Sequence, residues 1–600
     1  MPTVFDCEVY RDYFLVIFRD IESGATQHFE LYEGHPFAGL EVLEIMRTKT
    51  LVSFNGRRFD VPLLLMAVFG EPAERIKEAC NAIIIDKMNY WDDEFKKRYP
   101  DATYGKDQFD HIDLIEVAPG TASLKIYGGR LHSKRMQDLP INPDDSIAPE
   151  QRQQLVEYCG NDLQTTIDLY HALKPRLDLR KTMSEHYQVD LRSKSDAQIA
   201  EQVIRGRVQR DTGNWIERPE IKTGTTFRYR KPEFVSFTMP VLNDALAVVE
   251  ASDFFISATG NVEMPDALAK TKIKIGGSVY RMGIGGLHSS EESIAHKAVG
   301  CRLIDRDVAS YYPAIILKLG LFPTQMGPTF LNVYRDLVRR RLEAKRAGDK
   351  VRADSMKITI NGSFGKFGSK WSTLYSPDLL IQTTVTGQLC LLILIELLEL
   401  HGISVVSANT DGIVIRCPTG MDDTMDRCVN VWEIATGFET EATEYDAIYS
   451  RDVNNYVAIK KGGGEKLKGA FNLGEEPLAK NPTNNICIEA VVAFLKTGKP
   501  VDDTIIYADD IRKFVTIRKV SGGAVKSHLW GDEFLGKAVR WYYAHDEVGT
   551  INYKSSGYTV ARSEGGKPLM DLPDSFPGDV NHAWYIAETK SILKDIGVKD

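Results

Sequence analysis

Apolar residues recur along this chain with two spacings, and the change of spacing marks its elements. In VFDCEVYRDYFLVIF, which begins at Val4, the pattern predicts a strand that places Asp6 and Glu8 on one face, two residues apart. LVSFNGRRFDVPLLL ends a short strand at Asn55 and opens a helix near Asp60, while LVEYCGNDLQTTIDLYHAL has a helical period that sets Tyr158 and Asp162 on one face. Further on, CRLIDRDV and ISVVSANTDGIVI have strand character and carry Asp307 and Asp411, so two carboxylates can face each other at neighbouring strand ends. Between them VYRDLVRRRLEAKRAG predicts a helix with Arg341 and Lys345 four apart, followed by a break near Gly348 and a second helix presenting Lys357 and Asn361. An antiparallel pair joined at Gly348 would gather Arg341, Lys345 and Lys357.

Composition adds limits. Six hundred residues exceed what one hydrophobic core serves, so several domains are expected, and 43% hydrophobic with 26% charged residues is the balance of a soluble globular protein. The apolar run from Leu389 to Leu400 is interrupted by Glu396 and Glu399 and reads as too short to span a bilayer; the first residues, MPTVFDCEVY, lack the layout of a signal peptide. A cytoplasmic location and no membrane partner are therefore expected. The eight cysteines form no CxxC pair, which argues against a zinc ribbon or disulfide framework and for buried small hydrophobes. The net charge of −9 hides a basic element: from Arg335 to Lys357 there are nine Lys or Arg against four Asp or Glu. No internal repeat or low-complexity tract interrupts the chain.

Two sets of residues carry chemistry. Asp6, Glu8, Asp60 and Asp162, with Tyr158 to orient a water, suit two-metal phosphodiester hydrolysis. Asp307 and Asp411, with converging cations between them in sequence, suit phosphoryl transfer from a triphosphate. Taken singly, each acid reads as a solvated surface carboxylate, and the basic pair as a solvated helix hairpin; the order and number of the segments point the other way.

DVASYYP, KITINGSFG and SANTDGI resemble, in order, the DxxSLYP, KxxxNSxYG and DTDS segments of family B DNA polymerases, and the upstream acids resemble that family's proofreading exonuclease motifs. The motifs cover roughly the first 470 residues. The resemblance implies an α/β and α+β multidomain fold, with an RNase H-like 3′-5′ exonuclease domain followed by a right-hand polymerase of palm, fingers and thumb. The implied boundaries are 1–190 exonuclease, 191–295 connecting region, 296–325 palm, 326–385 fingers, 386–475 palm and 476–600 thumb. It implies template-directed DNA synthesis with proofreading, in a compact enzyme of phage or mobile-element replication.

The resemblance carries over residue by residue. Asp6, Glu8, Asp60 and Asp162 are implied as metal ligands of the hydrolytic site and Asp307 and Asp411 as those of the synthetic site, each holding two Mg2+ ions with Mn2+ as a substitute. Asn55, Phe59, Ser123 and Leu124 match single-strand contacts, and Lys134 matches a lysine that steadies the scissile phosphate, although Gln137 stands where an apolar residue is expected. SLKIY also reads as an ordinary helix start with a serine cap. For the triphosphate, Arg341, Lys345, Lys357 and Asn361 are implied, with the backbone of Val308, Ala309, Ser310 and Tyr311. Tyr312 would lie beneath the sugar and exclude a ribose 2′-hydroxyl. Asn361, Gly362 and Phe364 would line the nascent base-pair pocket. Tyr456 and Lys468, in DVNNYVAIKK and EKLKGAF, match the primer grip, and Gly285 and Gly286 the glycine-rich segment that routes DNA.

The chain departs from the family pattern at several places. Gly362 and Phe364 replace Ser and Tyr. Asn454 and Asn455 replace the two lysines of the primer grip, which shifts that expectation to Lys460 or Lys461. Asn409 replaces the first Asp of DTDS, which leaves Asp411 as the expected ligand and gives Asn409 a hydrogen-bonding role. Only 50 residues separate Asp307 from Lys357, too few for the insertion found there in protein-primed phage polymerases, so ordinary primers and modest processivity are expected. The implied partners are primer-template DNA, deoxynucleoside triphosphates, single-stranded DNA and replication accessory proteins. Two other readings stay open: an exonuclease or repair nuclease with a decayed palm, and a non-catalytic primer-template binding protein.

Overall fold

The computed structural model describes residues 2–105, 108–473, 478–528, 531–545, 547 and 549–598. The chain divides into two compact units, one of Met1–Ser195, Gly474–Cys487 and Ile505–Ile586, the other of Asp196–Leu473, Ile488–Thr504 and Ala587–Asp600. The stretch expected as a single thumb, 476–600, is thus shared between both units, and residues 476 and 477 lie outside the described residues.

The first unit is built on a mixed five-stranded sheet in the order Thr26–Leu31, Phe14–Asp20, Pro2–Val9, Thr50–Ser53, His111–Asp113. The first three strands pair antiparallel; the last two run parallel to Pro2–Val9. Alternation along Pro2–Val9 decides its two faces. Phe5, Cys7 and Val9 join a core with the helix Asp60–Val68. Val4 and Tyr10 join a second core with Leu155, Cys159 and Leu163 of the 39-residue helix Pro149–Tyr187. Asp6 and Glu8, in phase with Val4 and Tyr10, therefore face that long helix. The same unit holds a four-stranded sheet whose long members, Thr516–His528 and Gly531–Tyr543, form an antiparallel pair.

The second unit carries a ten-stranded sheet. Its central strand, Cys301–Val308, lies between Gly412–Pro418 and Thr440–Asp452, antiparallel to both. Beneath it runs the helix Pro377–Leu400. This helix is longer than the apolar run suggests, and by length and composition it could cross a membrane; 83% of its most apolar window is buried in the unit. Its length comes from the polar residues Gln382, Thr383, Thr384 and Gln388, which are buried and hydrogen-bonded.

The two basic helices form as expected, Thr329–Arg346 and Lys350–Phe367, turning at Gly348 with φ +71°. Phe330 lies against Phe367 and Tyr334 against Ser363, so the pair is antiparallel and sets Lys357 level with Arg340 and Arg341. No disulfide joins the cysteines among the described residues, and seven of the eight are buried.

Candidate active sites

In the second unit the register of three strands assembles an acidic cleft. Asp307 is opposite Gly412 on one side and Glu441 on the other. Ser404–Asn409 and Gly412–Pro418 form a hairpin whose two-residue turn is Thr410 and Asp411, with Thr410 at φ +57°. The Val308 amide donates to the Asp411 carbonyl at 2.8 Å, which ties the turn to the end of the Asp307 strand. Gly412 leaves room for the Asp307 carboxylate: a Cβ would come within 2.3 Å of Asp307 Oδ1 and displace it. Asp307 and Asp411 then line one cleft with Asp305, Asn409, Tyr456, Lys466 and Lys468. Burial and the Asp307 charge raise the Asp411 carboxyl, with Lys468 and Lys466 opposing. Two acids that repel across a cleft are a donor set for divalent cations.

Two members of this cleft were not expected. Asp305 lies two residues before Asp307 on the same strand face and is only 4% exposed. Lys466 Nζ donates to Asp305 Oδ2 at 2.7 Å and to Asp307 Oδ2 at 3.2 Å, and the Tyr445 hydroxyl donates to Asp305. Asp305 was legible from the i, i+2 rule; Lys466 reaches the cleft from the sheet edge, a placement only pairing decides.

Asn409 is a tie within the turn. Its amide donates to the Val453 carbonyl at 3.0 Å and to Asn454 Oδ1 at 3.1 Å, and its Oδ1 accepts from Thr410. Asn455 likewise closes the next turn, donating to Asp452 and accepting from the Ala470 amide. Lys461 pairs with Glu444 at 2.7 Å. Tyr456 and Lys468 both line the acidic cleft, with Tyr456 only 7% exposed.

The cations approach the cleft in part. Arg341 donates to Ser310 Oγ at 3.3 Å, and Lys345 lies 3.9 Å from Glu441, the strand neighbour of Asp307. Lys357 and Asn361 are exposed on the companion helix. The backbone expectation needs correction. The Val308 and Ala309 amides donate to the carbonyls of Asp411 and Glu439, so they are spent on the sheet. Tyr311 sends its side chain into the core, 4% exposed with its hydroxyl donating to the Gly387 carbonyl, so what it can offer a ligand is its backbone amide. What remains is the N-terminus of the helix Tyr311–Leu319, begun by Ser310 in the left-handed region, where first-turn amides lack helical partners.

Tyr312 stacks on Phe364 and donates to the Gly285 carbonyl. Gly285 and Gly286 therefore stand at this same site, with Gly286 against Thr410. Gly362 does not line the pocket: a Cβ there would lie 2.5 Å from the Asp196 carbonyl oxygen, so it serves close packing of Lys350–Phe367 on the helix Asp196–Thr212. A serine would not fit.

In the first unit, Asp6, Glu8 and Cys159 bring ligating atoms within 4.8 Å of one another. Asp60, at the start of its helix and 3% exposed, accepts from the Cys7 amide at 3.2 Å. Tyr158 and Asp162 stand one turn apart on the long helix, and burial followed by the Asp162 charge raises the Tyr158 hydroxyl. The acids are interdependent: burial raises Asp6, and the charges of Asp60, Glu8 and Asp162 raise it further. Burial pushes Asp60 up to about 7 and also raises Glu8 and Asp162. Four acids held in this way, with one nearby cation, fit divalent ions.

That cation is Lys125. Its Nζ donates to Tyr158 Oη at 2.5 Å and lies 3.3 Å from Asp138 Oδ1, and its charge lowers both Glu8 and Asp162. Lys134, the expected lysine, is instead exposed and paired with Asp574 at 2.5 Å. The reason is local. Ser123 opens the helix Leu124–Arg130 without a side-chain cap bond, and the first turn of that helix aims Lys125 at Tyr158. Leu124 packs with the core under the long helix. Asn55 adopts φ +69°, and its amide donates to Asp113 Oδ1 at 2.7 Å; Asp113 also accepts from the Arg57 amide. Buried Asp113, which sequence reading missed, thus shapes the loop carrying Asn55 and Phe59. Phe59 packs on the core beside that loop.

No family model and no curated protein matches the chain. Among solved structures, the chain is similar to the family B DNA polymerase from the hyperthermophilic archaeon Pyrobaculum calidifontis, with 14% identity and a TM-score of 0.41 over 100% of this chain and 78% of that one.

Proposed function

We propose that this protein is a template-directed DNA polymerase that extends a primer 3′ end with deoxynucleotides, and that its first unit is a 3′-5′ exonuclease. The observation that carries the reading is the convergence of Asp307 and Asp411 on one cleft, bordered by Arg341 and Lys345 and by the stacked Tyr312 and Phe364.

Asp307 and Asp411 would hold two Mg2+ ions, with Mn2+ as a substitute; when bound, such ions activate the attacking hydroxyl and stabilise the leaving oxygen. The chain's own residues supply the rest. Arg341 and Lys345, with Lys357 and Asn361 on the companion helix, neutralise the triphosphate. Amides at the start of Tyr311–Leu319 offer it hydrogen bonds. Tyr312, fixed by Phe364 and Gly285, stands where a sugar would press against its ring. Lys468 and Tyr456 border the cleft where a primer terminus would enter.

In the first unit Asp6, Glu8, Asp60 and Asp162 would hold the ions of the hydrolytic site. Tyr158, held by Lys125, orients a water, and Asn55, Phe59, Ser123 and Leu124 are proposed to guide a single strand. The short basic hairpin supports use of ordinary primers in a compact phage or mobile-element enzyme.

Primer extension tests the synthetic half: purified protein, a primed template, deoxynucleotides and Mg2+ or Mn2+ give elongated primer, and no elongation with either metal sinks the reading. Omitting nucleotides tests the other half, where the expected product is a primer shortened from its 3′ end. Shortening without any elongation would favour the nuclease reading with a decayed palm.

A further inference from the structure

Trp371 is an exposed aromatic on a well-packed loop. It is 70% exposed, yet the residues that follow are buried: Ser372 0%, Thr373 7%, Leu374 0% and Tyr375 2%. The loop is tightly tied. The Ser369, Ser372, Tyr375 and Ser376 amides all donate to backbone carbonyls, Thr373 donates twice to Glu201 Oε1, and the Tyr375 hydroxyl donates to the Gly260 carbonyl at 2.7 Å. The indole is therefore held out on a rigid support.

Two cations lie over the ring, which the 70% exposure nonetheless leaves largely open to solvent. Arg218 Cζ lies 5.3 Å and Lys370 Nζ 5.2 Å from the ring. The Lys370 stem packs on Gly260, where a Cβ would fall 2.5 Å from Lys370 Cδ, and its Nζ donates to the Ala258 carbonyl. Ile216, two residues before Arg218, shares a core cluster with Phe367 and Leu374, so both sides of the feature rest on one foundation. Glu217 and Glu220 flank Arg218 in sequence, which limits the local positive charge to the groups on the ring itself.

We propose that Trp371, with Arg218 and Lys370, is a stacking platform for unpaired bases of the template strand. An indole that is 70% exposed and already carries two cations suits a base with its phosphates. Bases within a duplex already stack on each other, so only unpaired ones offer a free face, and a primed template carries those ahead of the primer end. Trp371 follows by seven residues Phe364, which stacks on Tyr312 at the proposed synthetic site. The assignment rests on the polymerase reading and adds to it which strand is held and by what.

The test is binding, measured by fluorescence anisotropy without divalent ions so that neither reaction runs. Substrates share one duplex and differ in a 5′ template overhang of zero to eight nucleotides. The native protein should bind more tightly as the overhang lengthens. Trp371→Ala should lose about 5- to 100-fold on overhang substrates and nothing on blunt duplex, while Trp371→Phe retains most of the gain. Arg218→Ala should reduce the slope of log affinity against log salt by about 0.7 on overhang substrates. A 2-aminopurine scanned along the overhang should show one position whose quenching disappears in Trp371→Ala, a readout independent of affinity. Unchanged overhang binding and quenching in Trp371→Ala, with native primer extension retained, would overturn the platform alone and leave the patch as a protein-docking surface. A native protein that neither extends primers nor prefers overhangs would overturn the polymerase reading with it.

Discussion

The rings of Tyr312 and Phe364 lie face to face, centroids 4.3 Å apart and planes within 17°. Phe364 stands where the resembled family has Tyr, so the stacking partner has lost its hydroxyl while keeping its ring. Together with the bond from the Tyr312 hydroxyl to the Gly285 carbonyl, this fixes the phenol in one orientation. Tyr312→Ala should lower discrimination against ribonucleotides by about 10- to 100-fold or more, measured as the ratio of kcat/KM for matched deoxy- and ribonucleotides. Phe364→Leu should lower it less, because the phenol is released rather than removed. Unaltered discrimination in Tyr312→Ala would remove the residue from the sugar site.

Asp307→Ala and Asp411→Ala should each reduce extension by about three orders of magnitude or more, with primer shortening intact. Asn409 makes the opposite case. Its amide nitrogen donates to two oxygens, the Val453 carbonyl and Asn454 Oδ1. Asn409→Asp, which restores the family residue, would set carboxylate oxygen against both. The expected result is a loss of about 1–3 kcal/mol of stability in denaturant titration and no gain in activity. Loss of turnover in Asn409→Ala with Asp411→Ala spared would reverse the ligand assignment.

Lys466 is the counter-charge of a buried acid. Lys466→Met leaves Asp305, 4% exposed, without its cation and should cost about 3–5 kcal/mol. The double change Asp305→Asn with Lys466→Met should recover most of that loss, since removing both charges removes the desolvation cost. Additive losses in the double-mutant cycle would show that the pair does not couple.

Lys125 and Lys134 separate cleanly in the hydrolytic site. Lys125→Ala should slow primer shortening by about 10- to 1000-fold, as expected for loss of a charged group beside the reacting atoms, with extension unchanged. Lys134→Ala, which breaks only an exposed pair with Asp574, should leave shortening within about twofold. The reverse ranking would return the role to Lys134.

The hydrolytic acids also predict a pH dependence. Burial raises the Asp60 carboxyl to about 7, and Asp6, Glu8 and Asp162 are raised as well. A raised acid is protonated when folded at a pH where it is ionised when unfolded, so its contribution is complete below about pH 4 and lost as pH rises through its folded value. Without divalent ions, the stability of the first unit should fall between about pH 4 and pH 7 from these groups. Mn2+ should therefore raise Tm more at pH 8 than at pH 5, and Asp60→Asn should reduce that difference. An equal metal effect at both pH values would count against the acid cluster as a cation site.

Much of both sites was legible in the chain. Periods of two and of 3.6 place Asp6 with Glu8, Tyr158 with Asp162, and Arg341 with Lys345 on shared faces, because those repeats are fixed by backbone geometry. Local turn chemistry likewise predicts the break at Gly348. Gly362 was misread because a motif position says what stands there but not which neighbour it meets; here the neighbour is the Asp196 backbone. Val308 and Ala309 were misread for a related reason, since a backbone amide is free only if no strand claims it.

The sequence by itself determined the strands and helices, the order of the acidic segments and the pairs within one element. These depend on interactions a few residues apart. Only the tertiary structure decided that Lys466 neutralises Asp305, that Lys125 rather than Lys134 meets Tyr158, that Asp113 shapes the Asn55 loop, and that Trp371 stays exposed on a rigid loop. Each depends on which distant elements pack together and on the reach of one side chain across them, and no periodicity encodes that.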